Sequence, residues 1–318
     1  MRRQGGAGVI FVTLVITSCT NRKRLPIPPS LHMSSLPRAP LQDLASDWVG
    51  RVANAPSCHP ASDVYCGRSF KEARAAAATI DAKLIIVSAG LGLVEASTSI
   101  PAYGCTVLVG ADDGIQSRVD GNFSIASWWR ALSGSSHLSR SLEGLMHGQS
   151  GPLLVALSEA YIEMLAPDLI ALPSDDLARV RIFTASPAVR IPDALRPFRM
   201  PYDDRLDGPD SSCRGTLNDF ASRALAHFVG LGRGTVPQVS LADDVEAVRS
   251  AIGSWRGAQK FDRARHDDDT MLKLIAEHWE SAGGRASRLL RYFRDELDIA
   301  CEQSRFAALA RRIRETKK

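Results

Sequence analysis

The chain has no run of about 18 uninterrupted apolar residues, the length a membrane-spanning helix needs, and it has no internal repeat. Neither sign of charge dominates. The 39 Lys and Arg stand against 35 Asp and Glu, a net +4 that is too small to mark a nucleic-acid binder by itself. The six cysteines (Cys19, Cys58, Cys66, Cys105, Cys213 and Cys301) include no Cys-x-x-Cys pair. That spacing excludes a zinc-ligand set and a disulfide framework, and points to reduced thiols in a cytoplasmic protein. Gly90-Leu91-Gly92 lacks the third glycine of a dinucleotide fingerprint and the Gly-Lys-Ser/Thr of a phosphate loop. HExxH, GxSxG and clustered His/Cys are all missing, which excludes zinc-hydrolase and α/β-hydrolase readings.

What is present is an ordinary globular composition. The 318 residues are 45% apolar and 23% charged, enough for about two domains at roughly 150 residues each. Residues 288–318 carry nine basic and five acidic side chains, so the preceding 287 balance at 30 of each. The positive bias is a C-terminal property.

Four short apolar runs, 9–16, 83–88, 152–157 and 180–184, have the continuous Val/Ile/Leu character of parallel strands covered on both faces. Helical candidates lie between and after them, at 69–82, 124–132, 138–146 and 158–165. This alternation predicts an α/β domain with a small parallel sheet of about four strands flanked by helices, spanning residues 1–235. Ligands of such sheets bind beyond the carboxyl ends of the strands, so chemistry is expected in the turns after Ile16, Val87, Leu157 and Thr184. The first run also has a lipoprotein-like look, with Met1-Arg2-Arg3 before it and Cys19 after it. The basic cluster Arg22-Lys23-Arg24 opposes export and favours a buried strand.

Residues 25–40 hold five prolines and read as an irregular loop. A second Pro-rich stretch covers 187–209, an amphipathic helix 216–229, and a linker 230–237. Residues 236–318 are predicted to form a helical, helix-turn-helix-like module, with helices at 241–255, 270–281 and 285–297 and a glycine turn at 282–284. Arg285, Arg288 and Arg291, with Arg294, recur at intervals of three and suit contact with DNA phosphates. His266-Asp267-Asp268-Asp269 reads as the acidic start of a helix rather than a metal site.

Four turn segments stand out in order. Ser18-Cys19-Thr20-Asn21-Arg22-Lys23 follows the first strand, and Tyr65-Cys66-Gly67-Arg68-Ser69-Phe70 precedes a helix. Ser88-Ala89-Gly90-Leu91-Gly92 follows the second strand, with Ile100-Pro101-Ala102-Tyr103 beyond it. Together they resemble the YaaA-like families related to the uracil-DNA-glycosylase fold, over about residues 9–110 and more weakly to about 230. With the C-terminal helices, the set is most similar to the Brig-type anti-phage DNA glycosylases. The resemblance implies a monofunctional enzyme that hydrolyses the N-glycosidic bond of a modified base in DNA, glucosylated hydroxymethylcytosine of phage being favoured. No metal or organic cofactor, membrane or obligate protein partner is implied. Two departures stand against it: the first turn offers Asn21 and no carboxylate, and Ser186-Pro187 follow the fourth strand without a histidine.

Cleaving the bond builds positive charge on the sugar, so a carboxylate near the anomeric carbon helps, either electrostatically or by orienting water. Asp203 and Asp204 are the leading candidates, with Glu95 and Glu159 behind them. A turn-capping role competes for the two aspartates, and a place at a helix start for Glu159. Asn21 has donor and acceptor atoms to read a base edge or hold a water. Tyr103 has a ring on which a flipped base could stack. Ser18, Ser88, Gly90 and Glu95 are the expected substrate-binding residues, and Arg22 and Lys23 the phosphate contacts. Cys19 reads as a packing residue. Two other classes compete: a non-catalytic DNA-binding stress protein, and a base-exchange or nucleoside-processing enzyme of deazaguanine metabolism.

Overall fold

The computed structural model describes residues 11–184, 189–237, 239–259 and 263–316. Two compact units divide it, Met1–Ala258 and Gln259–Lys318.

The first unit is built on a five-stranded sheet. Its strands are β1 (Leu14–Ser18), β2 (Lys83–Ser88), β3 (Gly92–Glu95), β4 (Leu153–Ala156) and β5 (Val180–Phe183), in the order β3-β2-β1-β4-β5. Four of them run parallel, with Ile16 paired to Ile85 on one side and to Val155 on the other. Three of them coincide with the apolar runs read from sequence; the first, expected over 9–16, is displaced to Leu14–Ser18, with 11–13 not in strand and residues 9–10 outside the described residues. The sheet is mixed rather than purely parallel, because β3 turns back antiparallel on β2 through a tight hairpin that pairs Ser88 with Gly92. Gly92 has φ +88°, which favours glycine, and a four-residue edge strand behind it looks like the continuation of a turn.

Leu14 to Thr17 of β1 and every residue of β4 and β5 are buried, so both faces are covered. Helices α2 (Arg68–Thr79) and α5 (Phe220–Gly230) pack together and touch β1, β4 and β5. A second group comprises α1 (Leu41–Ala53), α3 (Ile125–Ser135) and α4 (Glu159–Ile170). The Pro-rich stretch 25–40 is irregular, with short 3-10 turns at Pro29–Leu31 and Met33–Ser35 that bury Leu31 and Met33.

Helix α6 (Leu241–Ile252) belongs to this unit, where sequence had placed it beyond a boundary at 235. Its Val248 and Ile252 lie in the same core. Its Asp244 bridges the buried Arg181 of β5 and also Arg233, each at 2.7 Å. A buried cation needs such a partner, so α6 neutralises the one charged residue in β5. Ser186 and Pro187 lie outside the described residues.

The second unit has its own core. It contains α7 (Asp268–His278), α8 (Ala286–Asp295) and α9 (Gln303–Thr316), and a two-residue parallel pairing of Ala264–Arg265 with Ile299–Ala300. Met271, Ile275, Trp279, Leu289, Phe293 and Phe306 fill its interior. Asp267 caps α7 by accepting from the Thr270 N–H at 2.8 Å. Gly283 and Gly284, at φ +64° and +67°, make the turn before α8. Arg285, Arg288 and Arg291 are all exposed, while Leu289, Leu290 and Phe293 cover the buried side of α8. Among the described residues, no helix is long and apolar enough to cross a membrane.

Candidate functional site at the ends of β1 and β4

In a doubly wound sheet the chain leaves its first strand in one direction and later returns to build in the other. Here that reversal falls between β1 and β4. Adjacent strands whose connections depart to opposite sides leave a crevice at their carboxyl ends. A cavity of about 440 Å³ lies there, lined by Ser18 at the end of β1 with Cys19, Asn21 and Arg22 after it, and by Ala156 at the end of β4 with Ser158 after it. Its size falls within the range of ordinary small-molecule sites.

Three helices begin on this crevice. Gly67, Arg68 and Ser69 at the start of α2 line it, as do Ser158 before α4 and Asn218 and Asp219 before α5. Neither α2 nor α4 has a capping side-chain hydrogen bond. Gly67, at φ +116°, enters α2 through a conformation that favours glycine. Helix starts present amide N–H groups and the positive end of the backbone dipole, so together they favour negative charge. Arg22 and Arg68 add two guanidinium groups. The rim is apolar. Leu217, 71% exposed, and Leu108, 47% exposed, both line the cavity, and Val109 beside Leu108 is 83% exposed.

Asp219 is the only carboxylate lining this crevice among the described residues. Its Oδ1 accepts from the Thr216 N–H at 2.8 Å and from Arg223 Nε at 2.7 Å, and its Oδ2 lies 3.4 Å from Arg68 Nε. Burial pushes its pKa up, but the Thr216 N–H and the Arg223 and Arg68 guanidiniums outweigh that, and the carboxyl is held below the usual range. It is therefore an anion at neutral pH, suited to facing developing positive charge and unsuited to donating a proton.

No family model, curated protein or solved structure matches the chain. The site has to be read from its own geometry.

The four turn segments singled out in the sequence do meet. The loop after β1 is laced to the segment before α2: Thr20 Oγ1 accepts from the Cys66 N–H at 3.2 Å, and Cys66 Sγ donates to Arg22 O at 3.2 Å. Beneath them runs a buried chain of hydroxyls, Ser88 to Tyr103 at 2.6 Å and Tyr103 to Tyr65 at 2.8 Å. Lys23 folds back over it, its Nζ 4.5 Å from the Tyr103 ring centroid and 5.3 Å from that of Tyr65, while donating to the Thr20 carbonyl. Burial pushes the Lys23 pKa down. Burial likewise raises the pKa of Tyr65 and of Tyr103.

Several expected site residues therefore sit in a layer under the crevice. Tyr103 is fully buried and does not line the cavity. Ser88 accepts from the Leu91 N–H at 2.9 Å and so braces the hairpin. Gly90 lies so close that an added Cβ would stand 2.7 Å from the Tyr103 ring, and its carbonyl accepts from Trp48 Nε1 at 2.7 Å. Lys23 is turned inward, whereas Arg22 and Asn21 are exposed at the crevice. Asn21 also lines a neighbouring cavity of about 370 Å³ with Cys105, Thr106 and Asp113.

The other carboxylate candidates stand elsewhere. Asp203 caps the short 3-10 turn Asp204–Asp207, accepting from the Arg205 N–H at 3.0 Å and pairing with the Arg205 guanidinium at 2.8 Å. Asp204 accepts the Ala258 N–H at its backbone carbonyl. Neither lines the crevice. Glu95 ends β3 and faces Arg140 at 3.8 Å, and Glu159 is the exposed first residue of α4. Cys19 is buried, with its Sγ 3.2 Å from the Tyr161 hydroxyl.

Asp219, Tyr161, Arg68 and Leu217 were missed from sequence. For Asp219 a signal existed. Thr216 and Asp219 have the spacing of a capping box, and both halves of that box form. Reading the box would have placed Asp219 at a helix start instead of inside a helix.

Proposed function

We propose that the chain is a DNA N-glycosylase of the uracil-DNA-glycosylase-like kind, with its base-handling site in the crevice between β1 and β4. The observation that carries this reading is the convergence of three helix starts and two guanidinium groups around one ionised carboxylate, Asp219. Hydrolysis of an N-glycosidic bond needs both signs of charge. Electrons of the breaking bond leave with the base, and the helix starts with Arg22 and Arg68 favour that negative charge. The sugar left behind is electron-poor at its anomeric carbon, where Asp219 stabilises the developing cation or orients the attacking water. Water supplies the hydroxyl at that carbon and, in the end, the proton on the departing base, so the products are a free base and an abasic site.

Asn21 serves as the group that reads the base edge, and the apolar rim of Leu108 and Leu217 as the surface against which a flipped base rests. The exposed Arg285, Arg288 and Arg291 of the second unit contact the DNA backbone. A modified base is the favoured target, glucosylated hydroxymethylcytosine of phage DNA first among them, which makes this an anti-phage activity. That preference rests on the resemblance of the turn segments.

The test is incubation of the purified chain with unmodified, hydroxymethylcytosine-containing and glucosylated DNA, followed by alkali cleavage and mass spectrometry of the released base. Release from one modified DNA is expected. D219N should slow it by about 10²-fold or more, the usual cost of losing one electrostatic group, and N21A should weaken discrimination between bases. Absence of release from all three DNAs would refute the reading. Undiminished release by a folded D219N would remove Asp219 from the mechanism.

A further inference from the structure

The second unit contains a concavity that neither the fold nor the proposed activity accounts for. It measures about 480 Å³, and four of its lining residues are arginines: Arg263, Arg265, Arg294 and Arg305. We propose that it is a socket for a phosphate oxyanion. The phosphate comes either from a nucleic-acid backbone or from a free phosphomonoester.

Three of the four guanidiniums are anchored to backbone carbonyls. Arg263 Nε donates to Arg294 O at 2.8 Å, Arg294 Nη2 to Cys301 O at 2.9 Å, and Arg305 Nη2 to His266 O at 2.9 Å. Such anchors fix the planar fork in place, and a fixed fork loses little freedom when it meets an oxyanion. Arg265 sits on the two-residue strand paired with Ile299–Ala300. It is exposed and makes no hydrogen bond or ion pair among the described residues.

Carboxylates do not cancel this charge. Glu302 lines the pocket, but its Oε2 accepts from the Arg305 N–H at 2.9 Å, at the start of α9. Asp268 pairs with Arg305 at 2.6 Å and Asp295 with Arg263 at 3.9 Å, and neither lines the cavity. Arg265 and Arg294 have no carboxylate within ion-pair distance among the described residues. A pocket with two uncompensated guanidiniums attracts an anion, and phosphate geometry matches their paired N–H groups.

Arg294 also lines the adjoining groove with Arg291. The exposed Arg291 thus stands one step of three residues, about 4.5 Å along α8, before the Arg294 of the socket. The inference rests on this pocket alone and stands whether or not the first unit breaks glycosidic bonds.

The experiment uses the full chain, its R265A and R265E variants, and R265K as the conservative control. Binding of a fluorescein-labelled duplex is followed by anisotropy across a salt series, and binding of inorganic phosphate by titration calorimetry. Because Arg265 is exposed, the variants are expected to fold, and thermal unfolding checks this. If the socket takes backbone phosphate, R265A weakens duplex binding about 5-fold and lowers the slope of log K against log salt by about one, with R265K retaining the slope. If it takes a free phosphomonoester, the wild type binds inorganic phosphate, R265A does not, and the duplex slope is unchanged. An unchanged slope together with no phosphate binding by the wild type would overturn the proposal.

Discussion

Replacing Arg223 with methionine tests how the crevice wall is held. The Arg223 side chain is 1% exposed and binds four partners, of which Thr216 and Asp219 line the crevice. Its Nε donates to Asp219 at 2.7 Å, its Nη2 to Thr216 O at 2.8 Å and its Nη1 to Cys213 O, and it pairs with Asp207 at 2.9 Å. Methionine fills similar volume without the charge. It leaves Asp219, 6% exposed, as a buried anion with the Thr216 N–H and Arg68 as its remaining partners, whereas Asp207 at 23% exposure is partly relieved by water. Removing one partner of a buried pair costs about 3–5 kcal/mol, and the Asp207 contribution is discounted for screening. At about 2–4 °C per kcal/mol for a unit of this size, the melting temperature should fall by about 6–20 °C.

The pH dependence gives this prediction its sharper edge. In the wild type, Asp219 has a folded pKa below the unfolded value of about 3.9. Its stabilisation is therefore present above that value and is lost as pH falls through the folded pKa. In R223M, burial meets a weaker counterweight, so the Asp219 pKa rises and the carboxyl takes up a proton on mild acidification. The gap between variant and wild type should narrow from about pH 7.5 to about pH 4.5. Calorimetric unfolding at both pH values measures it. A gap of the same size at each, or no fall in melting temperature at all, would refute the account of Asp219 as an anion dependent on Arg223.

Two further outcomes follow from burial and exposure. Tyr65, Tyr103, Tyr161 and Tyr202 all have pKa values raised by burial, so the unfolded chain releases their protons first and stability should fall as pH rises above about 10. In a spectrophotometric titration, four of the five tyrosines should ionise only together with unfolding, and ionisation without loss of structure would contradict their placement. Leu217→Ser, at a rim position 71% exposed, should change stability by less than about 0.5 kcal/mol while reducing base release. An unaltered release rate would show that the apolar rim is idle.

The parallel strands were legible because burial on both faces leaves a nearly unbroken apolar run, as in 84–87 or 153–157. Strand β3 was not, since Gly92 and three residues after it carry no periodicity of their own. The position of α6 was hidden for a different reason. Its tie to the first unit is the Arg181–Asp244 pair, 63 residues apart in sequence, and no local pattern announces such a bond. The turn segments meet in space, yet Tyr103, Ser88 and Lys23 form a hydrogen-bonded and cation–ring cluster that does not line the crevice. Asp203 carried the signal of a turn and performs that task. Asp219 was concealed by standing next to a helix it begins.

The position of β1 has a consequence for biosynthesis. This strand lies between β2 and β4, and 64 residues separate the end of the one from the start of the other. At about 5–20 residues per second, a ribosome takes roughly 3–13 seconds to cross that interval. During it Leu14, Val15 and Ile16 can pair along one side only, with β2, while their other edge waits for Leu153, Leu154 and Val155. An apolar edge without its neighbour is a template for pairing with other chains. Nascent chains of this protein should therefore be most vulnerable to aggregation, and most dependent on chaperones, between the emergence of residue 88 and that of residue 156.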